Sequence, residues 1–301
     1  MATPLTADAL VAALRAEGVT VVEHPGWRTH NRDHIGPWGP VNGVIVHHTV
    51  SSGTEASVEL CYNGYAALPG PLCHGVIAKD GTVHLVGNGR ANHAGGGDPD
   101  VLAHVIAEDY GERPPAPRYH EGSAGAVDGN ARFYGFECVN LGDGKDPWPA
   151  AQLDAIERAS AAVCRAHGWT ARSVIGHLEW SDWKVDPRGF TMPAMRTRIA
   201  ARLGAAPVPP ASSPPATPRH QPFPGAAFFA VGRNSPVITA MGRRLVAEGC
   251  SAYAVGPGPR WTEADRRSYA AWQRKLGYRG ADADGIPGPV SWAALNVPYT
   301  A

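Results

Sequence analysis

Short apolar runs that end in histidine are the first pattern along this chain. Residues 43–46 read Gly-Val-Ile-Val and lead directly into His47 and His48. A second run, Val174-Ile175, ends in Gly176-His177 in the same way. Such runs predict buried strands that deliver a histidine at the edge of a sheet. Because side chains alternate along a strand, His47 and His48 should point to opposite faces, and only one should reach a given site.

Helical periodicity appears at about residues 150–167. Gly168 follows directly and marks the predicted end of this helix. Together with the apolar runs, the helix indicates an α/β pattern in the first two-thirds of the chain. The residues that share its apolar face are Leu153, Ile156, Ala159 and Val163.

The length and a proline-rich tract predict two domains. At 301 residues the chain exceeds one average domain. Residues 205–222 are rich in proline, and such a tract neither buries apolar surface nor forms a regular ladder. We therefore expect a domain at 1–204, an extended spacer at 205–222 and a second domain at 223–301.

The second domain has a helical pattern of its own. Thr262 is placed to cap a helix, and a further helix is expected at 291–295 after a glycine-rich loop. This order resembles the small helical peptidoglycan-binding domains of wall hydrolases over about 223–298, most specifically 261–295. The Asp-Ala-Asp-Gly run at 282–285 lacks the remaining ligands of a calcium loop and is interpreted as a turn. The residues expected to share the first helix's buried face are Tyr269, Trp272, Gln273 and Leu276, with Trp261 also more typical of a core than of sugar binding.

Charge and composition exclude several classes of protein. Lys and Arg minus Asp and Glu give 17 − 22 = −5 for residues 1–204 and 9 − 5 = +4 for 223–301. The basic excess suits a module that binds an anionic wall, although the usual meaning of such a small excess is solubility. No basic block or motif indicates nucleic-acid binding. No apolar run is long enough to cross a membrane, and residues 1–18 do not look like a secretory signal. Five scattered cysteines fit a reducing compartment; a Cys61–Cys73 bridge is conceivable.

The two distant histidines raise the possibility of a metal site. His47 and His177 are 130 positions apart, and Asp186 follows His177 by nine positions. If the fold brings the strand ends together, these three residues can hold zinc and leave one coordination position for water. Glu179 and Asp182 also lie nearby and could replace Asp186 if the loop folds differently.

Five separated blocks over roughly residues 40–200 resemble a known family. They resemble, in order, the zinc-dependent N-acetylmuramoyl-L-alanine amidases, which share their fold with phage amidase endolysins and peptidoglycan recognition proteins. The resemblance implies a mixed central sheet with flanking helices, and zinc bound by His47, His177 and Asp186. The blocks are Val-His-His-Thr at 46–49, residues 73–83, Asn-His-Ala-Gly at 92–95, Gly-Phe-Glu at 135–137 and the stretch from His177 to Pro187.

The residue types suit amide hydrolysis. Two neutral imidazoles and a carboxylate leave zinc with net positive charge, so that it polarises a carbonyl and lowers the pKa of its water towards roughly 7. Glu137 is the candidate general base, or alternatively a buried carboxylate paired with an arginine. Lys184, two residues before Asp186, is the candidate partner for the developing oxyanion, or else a solvated lysine.

The resemblance also implies substrate contacts. Asn92 and His93 are expected to touch substrate, although plain exposure of His93 in its glycine-rich loop is an alternative. His74 is a further candidate, but it opens an apolar strand before the hairpin turn at 79–81 and could be structural. Some relatives carry a catalytic tyrosine where this chain has Cys73, which leaves more weight on Glu137.

These observations predict an amidase that cleaves between N-acetylmuramic acid and the L-alanine of the stem peptide. The absence of a signal favours a phage endolysin made in the host cytoplasm, and a bacterial autolysin is a weaker possibility. A non-catalytic recognition module and a virion-associated wall-penetration protein are the alternatives. Residues 98–134 are expected to form an elaborated surface loop that shapes stem-peptide preference. Host, stem-peptide specificity and oligomeric state are not indicated by the sequence.

Overall fold

A computed structural model describes residues 2–207 and 220–300 of the chain. The chain divides into two compact units, Met1–Ala211 and Ser212–Ala301. Most of the predicted spacer, residues 208–219, lies outside the described residues, so the domain boundaries at 204 and 223 stay predictions.

The first unit combines helices with short strands. Its helices are α1 (Ala7–Ala16), α2 (Thr54–Asn63), α3 (Pro99–Ala107), α4 (Ala150–His167) and α5 (Met192–Leu203). Its strands are β1 (Val21–Glu23), β2 (Gly43–His48), β3 (Gly64–Tyr65), β4 (Leu68–Pro69), β5 (Gly75–Ile77), β6 (Val83–Leu85), β7 (Gly96–Gly97), β8 (Val127–Asp128), β9 (Phe133–Cys138) and β10 (Val174–Gly176).

Six of these strands form one mixed sheet in the order β1-β6-β5-β9-β2-β10. Neighbours are parallel except for β5 and β6, which pair antiparallel. The predicted hairpin turn joins this antiparallel pair, and Gly81 there has a φ of 88°, a conformation that favours glycine. The mixed sheet with flanking helices confirms the predicted fold class.

The centre of the sheet is buried on both faces. In β2, Val44 and Val46 pack into the core formed with α1, α4 and α5, and Ile45 faces a second core with Trp180. Burying each such side chain stabilises the fold by about 1.5–3 kcal/mol. The same alternation places His47 on the Ile45 face and His48 on the opposite face, as predicted.

Helix α4 matches the predicted helix at 150–167. Its residues Ile156, Ala159 and Val163 are fully buried in the main core, with Leu153 partly buried beside them. The helix ends at Gly168, whose φ of 72° lies in the left-handed region that favours glycine.

Residues 98–134 are not only a surface loop, and that expectation was wrong. The segment begins with helix α3, which Asp98 caps by accepting from the backbone N–H groups of Asp100 and Val101. Val101 and Val105 are fully buried in the second core. The Asp-Pro start and the apolar spacing within the segment were the signals that could have identified this helix.

The second unit is helical, as predicted. It contains α6 (Pro236–Ala247), α7 (Glu263–Lys275) and α8 (Pro289–Leu295). Thr262 caps α7 in a capping box with Asp265, and Trp261 and Trp272 are buried in the core. The Asp-Ala-Asp-Gly segment begins in a short 3-10 helix, Gly280–Ala283, and continues into a bend at Asp284 and Gly285. None of the helices in the described parts of the chain combines the length and apolarity needed to cross a membrane.

Candidate metal centre

Three predicted ligands meet at the carboxyl edge of the sheet. His47 lies at the end of β2, His177 begins a 3-10 turn after β10, and Asp186 follows in the next extended segment. His47 Nδ1 lies 2.9 Å from His177 Nδ1 and 3.1 Å from Asp186 Oδ2. His177 Nδ1 lies 3.2 Å from the same carboxylate oxygen. Three donor atoms from separate segments therefore converge on one point.

Hydrogen bonds on the far side of the rings assign the tautomer of His47. His93 Nε2 lies 3.0 Å from the carbonyl oxygen of Phe133, which can only accept, so His93 donates there. The other ring nitrogen of neutral His93 then accepts from His47 Nε2, 3.0 Å away. His47 consequently carries its proton on Nε2 and presents an unprotonated Nδ1 to the centre.

The second imidazole is oriented in the same way by a backbone carbonyl. His177 Nε2 donates to Ala94 O at 3.2 Å, which leaves Nδ1 of neutral His177 as a lone pair. Asn130 holds this loop, since its Oδ1 accepts from the backbone N–H groups of His93 and Ala94 at 2.9 and 2.8 Å. One short segment therefore orients both imidazoles.

This donor set fits a cation. Burial and the neighbouring His177 together lower the pKa of His47 to about 4 against the opposing effect of Asp186, so His47 is neutral at neutral pH. Two imidazole lone pairs and a carboxylate that face one another at 2.9–3.2 Å repel unless a positive charge lies between them. Tetrahedral zinc with bonds of about 2.0–2.1 Å places its ligand atoms about 3.3 Å apart, close to these separations.

The alternative carboxylates have other partners. Glu179 forms a buried ion pair with Arg196 at 2.7 and 2.9 Å. Asp182 accepts from His120 at 2.9 Å. Across residues 2–207 and 220–300, the set His47, His177 and Asp186 is the one group of three such side chains with metal-ligand proximity.

Glu137 lies beside the metal centre with an unused oxygen. It is the register partner of His47 in the parallel β2–β9 pair, so the two side chains share a face of the sheet. Within the described residues no group hydrogen-bonds its buried Oε2. Burial raises the pKa of Glu137 well above its ordinary value, Cys61 and Asp186 raise it further, and Lys184 opposes them. No arginine in the described parts of the chain forms the alternative ion pair with Glu137.

A cavity of about 370 Å³ opens onto this centre. Lys184 is exposed and lies at the cavity wall near His177, while Asn92 lines the same space and donates from its side chain to Pro69 O at 3.3 Å. His93 is buried but reaches the wall. The remaining lining residues are Leu68, Ala94, Gly95, Gly96, Glu121, Asn130, Ser181 and Trp183.

His74 occupies a different position from the other predicted substrate contacts. It is fully buried, donates from Nε2 to Gly89 O and accepts the backbone N–H of Gly135 at Nδ1, both at 2.9 Å. Both ring nitrogens are thus used inside the protein. These contacts favour the structural interpretation of His74 over substrate contact.

Steric contact explains why the Gly-Phe-Glu motif begins with glycine. A Cβ at Gly135 would lie 2.5 Å from His93 Nδ1, inside any normal contact distance. Only glycine leaves room for the imidazole that orients His47. Gly135 therefore preserves the geometry of the candidate metal centre, although it carries no functional group.

Several cavity residues were not identified from the sequence. Trp183 and Glu121 line the cavity, and Asn130 orients the loop beneath it. Asn130 lies five positions before Gly135, outside the Gly-Phe-Glu motif, and its contact with the loop at 93–95 is not visible in the sequence. Trp183 lies within the motif that contains His177 and Asp186, so its position was a usable signal.

The cysteines are free thiols. Cys61 and Cys73 are both buried and form no disulfide, so the conceivable bridge is not formed.

Comparison with known proteins identifies the family. Residues 37–189, just over half of the chain, match the N-acetylmuramoyl-L-alanine amidase family. A search of curated protein sequences gave no significant match.

Three solved structures are among those similar to this chain. The endolysin LysCS of Clostridium intestinale URNW is 16% identical, with a TM-score of 0.39, over 60% of this chain and 96% of its own. The amidase LysC of the same organism is 16% identical, with a TM-score of 0.38, over 60% and 97%. A selenomethionine derivative of AmpD is 15% identical, with a TM-score of 0.39, over 60% and 94%. On the family match over its first unit, this chain belongs to the N-acetylmuramoyl-L-alanine amidases.

Proposed function

We propose that this amidase is zinc-dependent and hydrolyses the bond between the lactyl group of N-acetylmuramic acid and the L-alanine of the stem peptide. The observation that carries the proposal is the convergence of His47 Nδ1, His177 Nδ1 and Asp186 Oδ2 within 3.2 Å of one another. Each imidazole is held by a hydrogen bond that keeps its inner nitrogen unprotonated. A site that only stabilised the fold would not need three opposed acceptors.

His47, His177 and Asp186 would hold the zinc ion. When bound, zinc supplies a Lewis acid that polarises the lactyl carbonyl and acidifies water. His93 and the Ala94 carbonyl hold His47 and His177, respectively, in the tautomer that can bind a metal. Loss of such an orienting group typically lowers metal affinity 10- to 100-fold.

Glu137 would transfer the proton. Its buried Oε2 has no partner among the described residues, and burial raises the pKa of Glu137, which makes the carboxylate a stronger proton acceptor. Glu137 accepts a proton from the attacking water and passes it to the departing L-alanine nitrogen as the carbon–nitrogen bond breaks. Lys184 at the cavity wall stabilises the negative charge that develops on the lactyl oxygen.

We further propose an endolysin that is made in the host cytoplasm and then acts on the wall. The second unit would bind peptidoglycan, and its excess of basic residues suits an anionic polymer. The complete ligand set disfavours a recognition module without activity. Residues 98–134 would contribute to stem-peptide preference, since Glu121 from this segment lines the cavity.

The test is digestion of purified peptidoglycan. The zinc-loaded protein should release new amino termini on L-alanine, and mass spectrometry should show intact glycan strands and intact stem peptides. New reducing sugar ends, or amino termini on other residues, would instead indicate a glycosidase or an endopeptidase. Glu137→Gln loaded with zinc is the matched control and should release them at least about 100-fold more slowly.

A further inference from the structure

Trp183 is exposed at the mouth of the catalytic cavity. Of the nine tryptophans, all within the described residues, it is the one that is exposed, with 67% of its surface accessible. It lines the cavity together with His177 and Lys184. A large aromatic ring left in water beside a reaction centre has no stabilising role in the core and indicates a binding surface.

The indole is held in one position by the 98–134 segment. The His120 ring stacks on Trp183 with centroids 3.4 Å apart and planes 11° apart. His120 is fixed in turn by Asp182, with Nδ1 2.9 Å from Oδ1. The backbone N–H of Asp182 donates to Tyr119 O at 3.2 Å, which fastens the two segments together. One face of the indole is covered by His120, and ordering of the ring before binding lowers the entropic cost of binding.

The position of the ring is coupled to the metal ligands. The backbone N–H of Ser181 donates to His177 O, and that of Lys184 donates to Ser181 O, each at 3.1 Å. This tight turn places Trp183 between two ligands, His177 and Asp186. In the proposed substrate, the lactyl group that carries the reacting carbonyl is attached to a pyranose through one ether oxygen. A sugar ring must therefore lie close to the reaction centre.

We propose that Trp183, supported by His120, is a stacking platform for a pyranose ring of the glycan strand. The inference rests on the proposed function and adds the residue that receives the sugar. The C–H bonds on one face of a pyranose carry partial positive charge and meet the negative face of an indole. A flat uncharged ring suits such a sugar face better than it suits the charged groups of a stem peptide. Trp183 is then a binding residue, and His120 is a positioning residue.

The experiment uses the zinc-loaded full chain with a soluble disaccharide–peptide fragment as substrate. Trp183→Ala should raise KM at least tenfold with a smaller change in kcat, and Trp183→Phe should restore KM to within about threefold of wild type. The peptide-free disaccharide should inhibit the wild type competitively, and Trp183→Ala should weaken this inhibition by a similar factor. His120→Ala should raise KM by about threefold.

His104→Ala is the matched control. His104 forms a comparable exposed pair with Asp109, with Nδ1 2.6 Å from Oδ1, and this pair does not line the cavity. Its KM should equal that of the wild type. The platform is overturned if Trp183→Ala keeps KM and disaccharide inhibition within twofold of wild type. It is also overturned if the variant weakens inhibition by a free stem peptide but not by the disaccharide.

The two proposals fail separately. An inactive wild type would contradict the proposed function, and calorimetric titration of the disaccharide into wild type and Trp183→Ala would then decide the platform alone. An active wild type with an unaffected Trp183→Ala would remove the platform and leave the amidase assignment in place.

Discussion

Buried polar groups are used differently at the metal edge of the sheet and in the C-terminal unit. At the edge, Glu137 Oε2 is buried without a hydrogen bond among the described residues. In the C-terminal unit, Asp265 accepts from Thr262 and Tyr253, and Gln273 bonds Gly285 and Ile286. Within residues 220–300, every buried side-chain nitrogen and oxygen has a partner.

This comparison distinguishes buried polar groups that stabilise the fold from a buried polar group that is available for chemistry. An unsatisfied buried polar group costs about 1–3 kcal/mol, so a fold retains one only where something else is gained. The same contrast exists within the first unit, where Glu179 is neutralised by Arg196 while Glu137 has no such partner. Eight buried side-chain atoms in the described residues lack a partner, and Glu137 Oε2 is the one whose residue is the register partner of a candidate metal ligand, His47.

The largest expected effect is at Glu137. Glu137→Gln keeps the shape of the side chain but removes the proton acceptor, so turnover should fall by about 10²- to 10⁴-fold. Zinc content should stay at the wild-type level, because the substituted group is not a ligand. Steady-state kinetics and metal analysis of the same preparation measure both quantities. Glu55→Gln on the surface of α2 is the control, and an active Glu137→Gln enzyme would remove the assignment of the base.

The next effect concerns stability against acid. Burial lowers the pKa of His74 to about 4, so protons bind the unfolded chain before they bind the fold. The contribution of neutral His74 to the free energy of unfolding is therefore fully present above pH 6.5 and is lost as the pH falls towards 4. For one such histidine this loss is on the order of 3 kcal/mol.

The variant His74→Gln retains a donor and an acceptor but does not titrate. Denaturant unfolding of metal-free protein at pH 7 and pH 4 should show a weaker pH dependence than in wild type. Some dependence should persist, because His47 and His93 are also buried and neutral. An undiminished dependence in His74→Gln would show that His74 does not contribute.

A smaller effect is expected from Gly135→Ala. The added methyl group would displace the His93 ring and weaken the hydrogen bond that fixes the tautomer of His47. Zinc affinity should therefore fall about 10- to 100-fold. Competition with a zinc chelator measures this change. Gly111→Ala is the matched control, since a Cβ there meets nothing within 4 Å. Equal zinc affinity in both variants would contradict the role of His93.

The smallest effect belongs to the C-terminal unit. Thr262→Ala removes the hydroxyl that donates to Asp265 Oδ2 at the start of α7 and should destabilise that unit by about 1 kcal/mol. Activity on a soluble fragment should not change, because no residue of the metal centre is involved. Thermal unfolding detects the loss, with Arg267→Ala on the exposed part of the same helix as control. A change in zinc affinity would show that the polar network of this unit also serves the metal centre.

Much of the fold was predictable because its signals are local. The run ending at His47 and the periodicity of α4 each depend on a single stretch of sequence, and the structure confirms both. Helix α3 was missed because the segment was interpreted through its glycines, prolines and charges rather than through Asp98-Pro99 and the buried valines.

The site was predictable only as a set of residue types. Sequence proposed His47, His177 and Asp186 but could not exclude Glu179, because the choice depends on Arg196, which binds Glu179 from a separate helix. The orienting role of His93 depends on the Phe133 carbonyl, a backbone group that no side-chain pattern reveals. Contacts between segments distant in sequence decide which residues act and which support.

Zinc titration by calorimetry tests most directly whether His47, His177 and Asp186 at the edge of the sheet bind a cation. Wild type should bind one zinc ion per chain, and His47→Ala and Asp186→Asn should each lose that binding. Asp182→Asn, which alters a neighbouring carboxylate paired with His120, should bind like wild type. Absence of zinc binding by the wild type, or retention of it by both ligand variants, would contradict the account.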